Sequence, residues 1–355
     1  MKQVFLESHN IKNKFSGFGQ FNYHLIKALA NQETTGFEIV LHAKDITSLK
    51  EEFGTLFKYK KYQSISRHTP FRIKKRYDLW HCLNQNIKIE PFFKMPYVLT
   101  VHDVHFATEG TQASQEKLKN RFNLKLQRAA AIIYISEFAK KDTHANFKVP
   151  KVPEYVIYNG NTITAIEIPE SFVSLTLPKQ KFLFSIGAFT ERKNFRSLVR
   201  MLPLLPGYDL VLAGNNTTRY ANELLALAKE LGVQNRVHTP GKIEDVAKHY
   251  YLQHCEAFVF PSLKEGFGIP PIEAMRFGKP IFISNNTSLP EIGGEHSFYW
   301  DHYSPEYMVQ VLVEGLLKFR SEEAFYTQWY ITRAKSFDWN ETAKQYIDVY
   351  QSILS

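Results

Sequence analysis

Short apolar runs alternate with helical patterns along nearly the whole chain, and this alternation constrains the fold more than any other feature. Runs of this length suit strands buried on both faces. A helical pattern between one run and the next argues for parallel sheets made of strand-helix-strand units. Strands are expected near residues 3–7, 37–42, 78–83, 97–102, 131–135 and 155–158 in the first half, and near 181–187, 209–213, 236–238, 257–260 and 280–283 in the second. Between the halves, 166–180 is polar, contains Pro169 and Pro178 and lacks periodicity, as expected of a linker. The predicted division is a first domain over 1–165, a second over 181–339 and a last helix over 340–355 with Ala343, Tyr346, Ile347 and Tyr350 on one face. The 355 residues, 44% hydrophobic, suffice for two cores and exclude a disordered chain. Cys82 and Cys255 are the only cysteines and show no zinc or redox spacing, which predicts a reducing compartment and no disulfide frame. Residues 1–10 lead directly into a strand, and no stretch of about eighteen apolar residues occurs, so no signal core or spanning helix is expected.

Segment 258–291 carries the densest chemistry. An apolar run ends at Pro261, which cannot donate to a sheet ladder, and the loop beyond it holds Glu265, Gly266, Phe267 and Gly268. The two glycines let backbone amides approach a ligand. Pro270 and Pro271, just after Ile269, suit a helix's first turn, whose N-terminus attracts anions. Glu265 is placed to accept hydrogen bonds from sugar hydroxyls, and Glu273, about one turn into the helix, from a second polyol such as ribose. In segment 182–199 an apolar strand ends at Gly187 and a helix starts near 194–195, with Arg192 and Lys193 on the turn between. A guanidinium and an ammonium there would neutralise charge growing on a departing diphosphate.

These segments resemble the retaining glycosyltransferases of family 4, the glycosyl transferases group 1, in the pattern PS-x-x-EGFG-x-P-x-x-EAM-x-x-G-x-P and the later Leu289-Pro290-Glu291. The resemblance implies an α/β GT-B architecture: two Rossmann-like parallel-sheet domains facing across a cleft, the C-terminal helix returning to the first domain. It also implies that Arg192 and Lys193 hold the donor diphosphate, that Glu265 fixes the sugar, and that Glu273, Gly187 and the residues 266–269 belong to the donor site. Many family members have arginine directly after the strand glycine, where this chain has Ala188.

The first half carries weaker motifs. Ser16 to Gln20, with Gly17 and Gly19, lies between a strand and a helix, so its amides are expected to face a donor phosphate. His102 and Asp103 stand at the carboxyl end of a strand, the edge where open α/β sheets bind ligands. His102 is expected to meet the transferred sugar or the acceptor hydroxyl, or alternatively to be a histidine satisfied in the core. Tyr134 to Glu137 and Val156 to Gly160 resemble family signatures, with helix capping by Ser136 and a turn at Asn159-Gly160 as their expected roles. Residues 1–165 hold 25 Lys and Arg against 14 Asp and Glu, whereas the remainder holds 19 against 21, so the excess of base belongs to the first half. It is densest around Arg67, Arg72, Lys74, Lys75 and Arg76, preceded by Lys58, Lys60 and Lys61 and interleaved with aromatics. This patch suits an anionic membrane surface presenting the acceptor, or a solvated loop; no nucleic-acid-binding motif accompanies it.

The resemblance thus implies a hexosyltransferase that moves a sugar, with mannose favoured, from a nucleotide diphosphate sugar to a glycan or lipid-linked saccharide in cell-surface polysaccharide or lipopolysaccharide assembly. It works with retention, without metal or other cofactor, in the cytoplasm or peripherally at the inner face of the cell membrane. Another GT-B enzyme, such as a sugar-nucleotide epimerase or a phosphorylase, and a noncatalytic nucleotide-sugar-binding or membrane-binding protein are the alternatives.

Overall fold

The computed structural model describes all residues except 14, 15, 164, 167, 170, 171, 173–177 and 179. Two compact units emerge, Met1–Thr162 with Asp338–Ser355 and Ile163–Phe337. The linker expected over 166–180 lies for the most part outside the described residues.

In the first unit the chain forms β1 (Lys2–Glu7), α1 (Gly17–Leu29), β2 (Phe37–Ala43), α2 (Ile46–Phe53), β3 (Lys58–Lys61), β4 (Leu79–Cys82), β5 (Tyr97–Val101), α3 (Gln112–Arg128), β6 (Ala131–Tyr134), α4 (Glu137–Asn146) and β7 (Glu154–Val156). The second unit holds β8 (Lys181–Ile186), α5 (Phe195–Met201), β9 (Tyr208–Ala213), α6 (Arg219–Glu230), β10 (Val237–Gly241), α7 (Asp245–His254), β11 (Ala257–Phe260), α8 (Ile269–Arg276), β12 (Ile281–Ser284), α9 (Leu289–Gly293), β13 (Phe298–Trp300), α10 (Pro305–Ser321) and α11 (Glu323–Lys335). Helix α12 (Trp339–Leu354) then belongs to the first unit again.

Both sheets are parallel and doubly wound. Their strand orders are β3-β2-β1-β4-β5-β6-β7 and β10-β9-β8-β11-β12-β13. The apolar runs become strands buried along their whole length, as in β5, β6, β11 and β12. Two strands were not expected, β3 and β13, and both lie at sheet edges. An edge strand needs no apolar run: β3 reads KYKK, and its lysines protect an open edge from pairing with another chain.

The order of each sheet reverses once, between β1 and β4 and between β8 and β11. At such a switch point the loops leaving the two strands turn to opposite sides and open a crevice at the carboxyl edge. The first core gathers Phe5, Trp80, Tyr97, Leu99, Ile132 and Tyr134, and the second gathers Leu183, Phe195, Leu210, Val259, Phe282 and Trp300. Side-chain caps start several helices, with Ser16 accepting from the Gly19 amide, Ser136 from the Ala139 amide and Asp338 from the Asn340 and Glu341 amides.

Helix α12 is tied to the first sheet by polar contacts as well as by its apolar face. The Tyr350 hydroxyl lies 2.7 Å from His81 Nδ1, His81 Nε2 lies 2.8 Å from Thr100 Oγ1, and the Thr342 hydroxyl donates to the Tyr158 carbonyl at 2.6 Å. No helix among the described residues is long and apolar enough to cross a membrane.

Candidate functional site

The switch point of the second sheet collects the strongest group of polar side chains. Strand β8 ends beside Gly187, whose amide donates to the Ala213 carbonyl at 2.9 Å. The Gly187 carbonyl in turn leaves no room for a Cβ on Gly214, which would lie 1.8 Å from its oxygen. The chain then makes a 3-10 turn over Glu191–Lys193, and Asn194 follows with φ of 51° before α5 begins. This turn aims Arg192 and Lys193 at the loop that leaves β11.

There they meet Glu265. Lys193 Nζ lies 2.6 Å from Glu265 Oε1, and Arg192 Nη1 lies 3.2 Å from Oε2. Arg192 Nη1 also donates to the Lys264 carbonyl at 2.6 Å, while the Leu263 amide donates to the Arg192 carbonyl at 2.8 Å. The two loops are therefore sewn together through both backbone and side chain. The Ser262 hydroxyl donates to Glu265 Oε1 at 2.5 Å, and the Lys193 ammonium sits 4.4 Å from the centre of the Phe260 ring. Lys193 and Glu265 are both buried. Burial pushes the Glu265 carboxyl up, but the Lys193 and Arg192 charges, with hydrogen bonds from Lys193 and Ser262, outweigh it and hold the group below the usual carboxylate range. Glu265 is thus an ionised carboxylate between two cations.

The loop backbone is held as firmly as the side chain. The Glu265 amide donates to Thr287 Oγ1 at 3.2 Å, and the Ser288 hydroxyl reaches the Glu265 carbonyl at 3.0 Å and the Phe267 carbonyl at 2.6 Å. Gly268 has φ of 121°, and a Cβ there would lie 2.9 Å from Leu289 Cδ2, so the entry into α8 requires glycine. Among the described residues the only non-glycines with positive φ are Asn194 and Thr287, one on each side of this cluster. Strained residues persist where the surrounding structure over-determines them.

In the second turn of α8, Glu273 is buried with Lys248 Nζ 2.7 Å from its Oε1, and the same ammonium lies 3.0 Å from Asp245. Burial pulls Lys248 down, but the Glu273 and Asp245 carboxylates outweigh it and hold the ammonium above the usual lysine range.

Of the residues predicted from sequence, Arg192, Lys193 and Glu265 come into direct contact, Gly187 lies against the Lys193 side chain, and Gly266, Phe267, Gly268 and Ile269 carry the chain from Glu265 into α8. Glu273 stands apart in the same unit, paired with Lys248, and the remaining residues form separate groups in the first unit. Gly17 opens α1, and Gly19 differs from its expected role: its amide is taken by Ser16 Oγ at 3.1 Å, and a Cβ would lie 1.8 Å from the Asn13 carbonyl. That glycine lets the helix start close to the preceding loop. His102 is buried, with Nε2 donating to the Leu83 carbonyl at 2.9 Å and its ring edge-on to Phe18 and Phe21. Burial pulls its pKa down to about 4, so the ring is neutral near pH 7. Asp103 turns its carboxylate back to the His105 amide at 3.3 Å.

Arg67 ends the first of two 3-10 turns and Arg72 follows the second, and the turns leave Ile65 and Phe71 exposed. Lys74 lies over Phe92, Lys75 over Tyr77 and Arg76 over Phe93. Sequence reasoning missed Lys248, Ser262, Thr287 and Ser288. For Ser262 and Ser288 the hint was their place in the Pro-Ser and Ser-Leu-Pro-Glu stretches of the segment, whereas nothing local marks Lys248 as the partner of a glutamate 25 positions away.

Residues 167–331 match the family model described as glycosyl transferases group 1. The serotype-specific mannosyltransferase WbdA of Escherichia coli is 31% identical over 188 residues, a match covering 50% of this chain but only 22% of WbdA. O-antigen chain mannosyltransferase B of Escherichia coli is 24% identical over 385 residues, covering 99% of this chain and 100% of that protein. Among solved structures, sucrose-phosphate synthase from Thermosynechococcus elongatus superposes with a TM-score of 0.77 at 18% identity, covering 99% of both chains. Anabaena HepE in complex with UDP and glucose gives 0.73 at 18% identity, covering 99% of this chain and 100% of that one. The matched segment, a little under half of the chain, encloses the Arg192, Lys193, Glu265 and Glu273 groups, and with its two Rossmann-like units the chain has the GT-B fold.

Proposed function

We propose that the protein is a retaining hexosyltransferase. It moves a sugar, with mannose favoured, from a nucleotide diphosphate sugar to a hydroxyl of a glycan or lipid-linked saccharide in cell-surface polysaccharide assembly. The observation that carries this reading is the meeting of Arg192, Lys193 and Glu265 at the β8–β11 switch point, beside the N-terminus of α8. Two cations and a helix N-terminus suit a diphosphate, and a buried carboxylate beside them suits sugar hydroxyls. Glu273, deeper on α8, suits the ribose. Mannose is favoured by the names of the relatives WbdA and O-antigen chain mannosyltransferase B.

In the reaction the bond between the anomeric carbon and the diphosphate oxygen breaks. The acceptor oxygen bonds to that carbon on the same face, and the acceptor proton passes to the departing phosphate oxygen. Arg192 and Lys193 stabilise the negative charge that grows on the leaving group. In the first unit His102 is neutral and, among the described residues, only its Nε2 is engaged, so its Nδ1 lone pair would be available to a hydroxyl. The basic and aromatic residues from Arg67 to Arg76 would hold the protein at an anionic membrane bearing the acceptor.

The test incubates the full chain with GDP-mannose, UDP-glucose and other nucleotide sugars and with alkyl mannosides as acceptors, and reads the anomeric configuration of the product by NMR. Transfer with retention, lost in Lys193→Ala, is expected. An inverted product, near-normal turnover in Lys193→Ala, or phosphate-dependent or epimerising activity instead of transfer would overturn the proposal.

A further inference from the structure

The two cations expected to receive a diphosphate already hold a carboxylate. Glu265 spans them, with Oε1 2.6 Å from Lys193 Nζ and Oε2 3.2 Å from Arg192 Nη1. It cannot easily turn away when an anion arrives. Its amide is bound to Thr287 Oγ1, its carbonyl to the Ser288 hydroxyl, and Oε1 to the Ser262 hydroxyl. Thr287 is itself locked at φ of 54°. The charged side chains recorded against the carboxylate are Lys193 and Arg192 from the turn after β8, while its own loop and the segment before α9 contribute the uncharged Ser262, Thr287 and Ser288.

A bound diphosphate must therefore share Lys193 and Arg192 with a buried negative charge. Like charges at short range in a site of low dielectric repel strongly, and a buried carboxylate that loses its donors is costly. A nucleotide sugar restores donors to Glu265 through the sugar hydroxyls. A free nucleoside diphosphate brings no hydroxyls to that position, and it carries an extra ionisable oxygen, because a terminal phosphate loses its second proton with a pKa of about 6.

We propose that Glu265 makes the site discriminate its donor from its product: the carboxylate held between Lys193 and Arg192 admits a sugar-bearing diphosphate and expels the free nucleoside diphosphate left after transfer. This rests on the reading of the cluster as a nucleotide-sugar site. Glu265 is then a specificity residue with two effects of opposite sign, attraction for sugar hydroxyls and repulsion of the terminal phosphate.

The experiment is calorimetric titration of the full chain with GDP and GDP-mannose, and with UDP and UDP-glucose, at pH 5.5 and 7.5, for wild type and Glu265→Gln. Glutamine keeps the shape and, with its oxygen in place of Oε1, still accepts from Lys193 and Ser262, but it removes the charge and the acceptor beside Arg192. In the wild type the sugar-bearing ligand should bind more tightly than its diphosphate, with a preference that holds or grows as pH rises. Glu265→Gln should bind the free diphosphate about tenfold more tightly, the equivalent of about 1.4 kcal/mol, and its preference should shift toward the diphosphate as pH rises. A purely structural role predicts instead that Glu265→Gln weakens both ligands together, and that result would overturn the proposal. Should the variant not fold, the wild-type series decides alone, since a preference for the sugar-bearing ligand that falls between pH 5.5 and 7.5 contradicts it. Absence of binding by all four ligands refutes the nucleotide-sugar reading itself, whereas binding with the wrong sign refutes only the discrimination.

Discussion

Lys193 shows how much one side chain depends on its surroundings. Its ammonium is buried against Phe260 and paired with Glu265, and burial with the nearby Arg192 charge pulls its pKa below the usual lysine range despite that carboxylate. Under the proposed mechanism, Lys193→Ala should reduce turnover about a hundredfold to a thousandfold, as loss of one charge-stabilising donor does. Steady-state kinetics on a variant whose circular dichroism matches wild type would check this. Lys248 is expected to matter mainly for stability. Lys248→Met removes the cation 2.7 Å from buried Glu273 and should cost about 2 kcal/mol, read from urea unfolding midpoints. At this scale the sequence singled out Arg192, Lys193, Glu265 and Glu273 because charged residues beside strand-end glycine turns stand out locally. Lys248 did not stand out: its partner lies on another helix, and a lysine on α7 looks like any solvated lysine.

At the scale of elements, the glycines and caps show which joints the fold depends on. A Cβ on Gly160 would lie 2.4 Å from both the ring and the backbone nitrogen of Trp339, the first residue of α12. Gly160→Ala should therefore displace the start of that helix and destabilise the first unit by about 1–3 kcal/mol. Tyr350→Phe removes the hydroxyl 2.7 Å from buried His81 Nδ1 and should cost a similar amount, about 1–3 kcal/mol. Thermal melts of both variants, with loss of α12 protection in hydrogen exchange, would check these outcomes. The central strands were legible because burial on both faces leaves a continuous apolar signature. Strands β3 and β13 were not, since an edge strand is defined by its neighbour more than by its own composition.

Across the whole molecule, two buried histidines contribute to the response to acid. Burial, with a lesser contribution from the His102 charge, pulls His81 down to about 3, and burial pulls His102 down to about 4, against an ordinary value of 6.5. Both rings are neutral in the fold and take up protons once unfolded, so stability is full above pH 6.5 and falls as pH drops toward these values. Each histidine should account for a loss of about 2 kcal/mol by pH 5. Urea unfolding at pH 7.5 and 5.0 should show this loss, and His102→Gln should lessen it. If the proposed membrane role is right, vesicles containing anionic lipid should sediment the protein while zwitterionic vesicles should not, and Phe71→Ser with Arg72→Glu should abolish the difference. The alternation of apolar runs and helices was enough to dictate parallel sheets, and the Glu265 to Glu273 segment enough to raise the proposed sugar-nucleotide chemistry, since both depend on residues close along the chain. Tertiary structure alone decided that Glu265 pairs with both Lys193 and Arg192, that Thr287 and Ser288 hold it there, and that His102 turns its Nε2 to the Leu83 carbonyl. These contacts join loops that meet only where the order of a sheet reverses or neighbouring strands end together, and the energy of a buried charge depends on what the fold places around it.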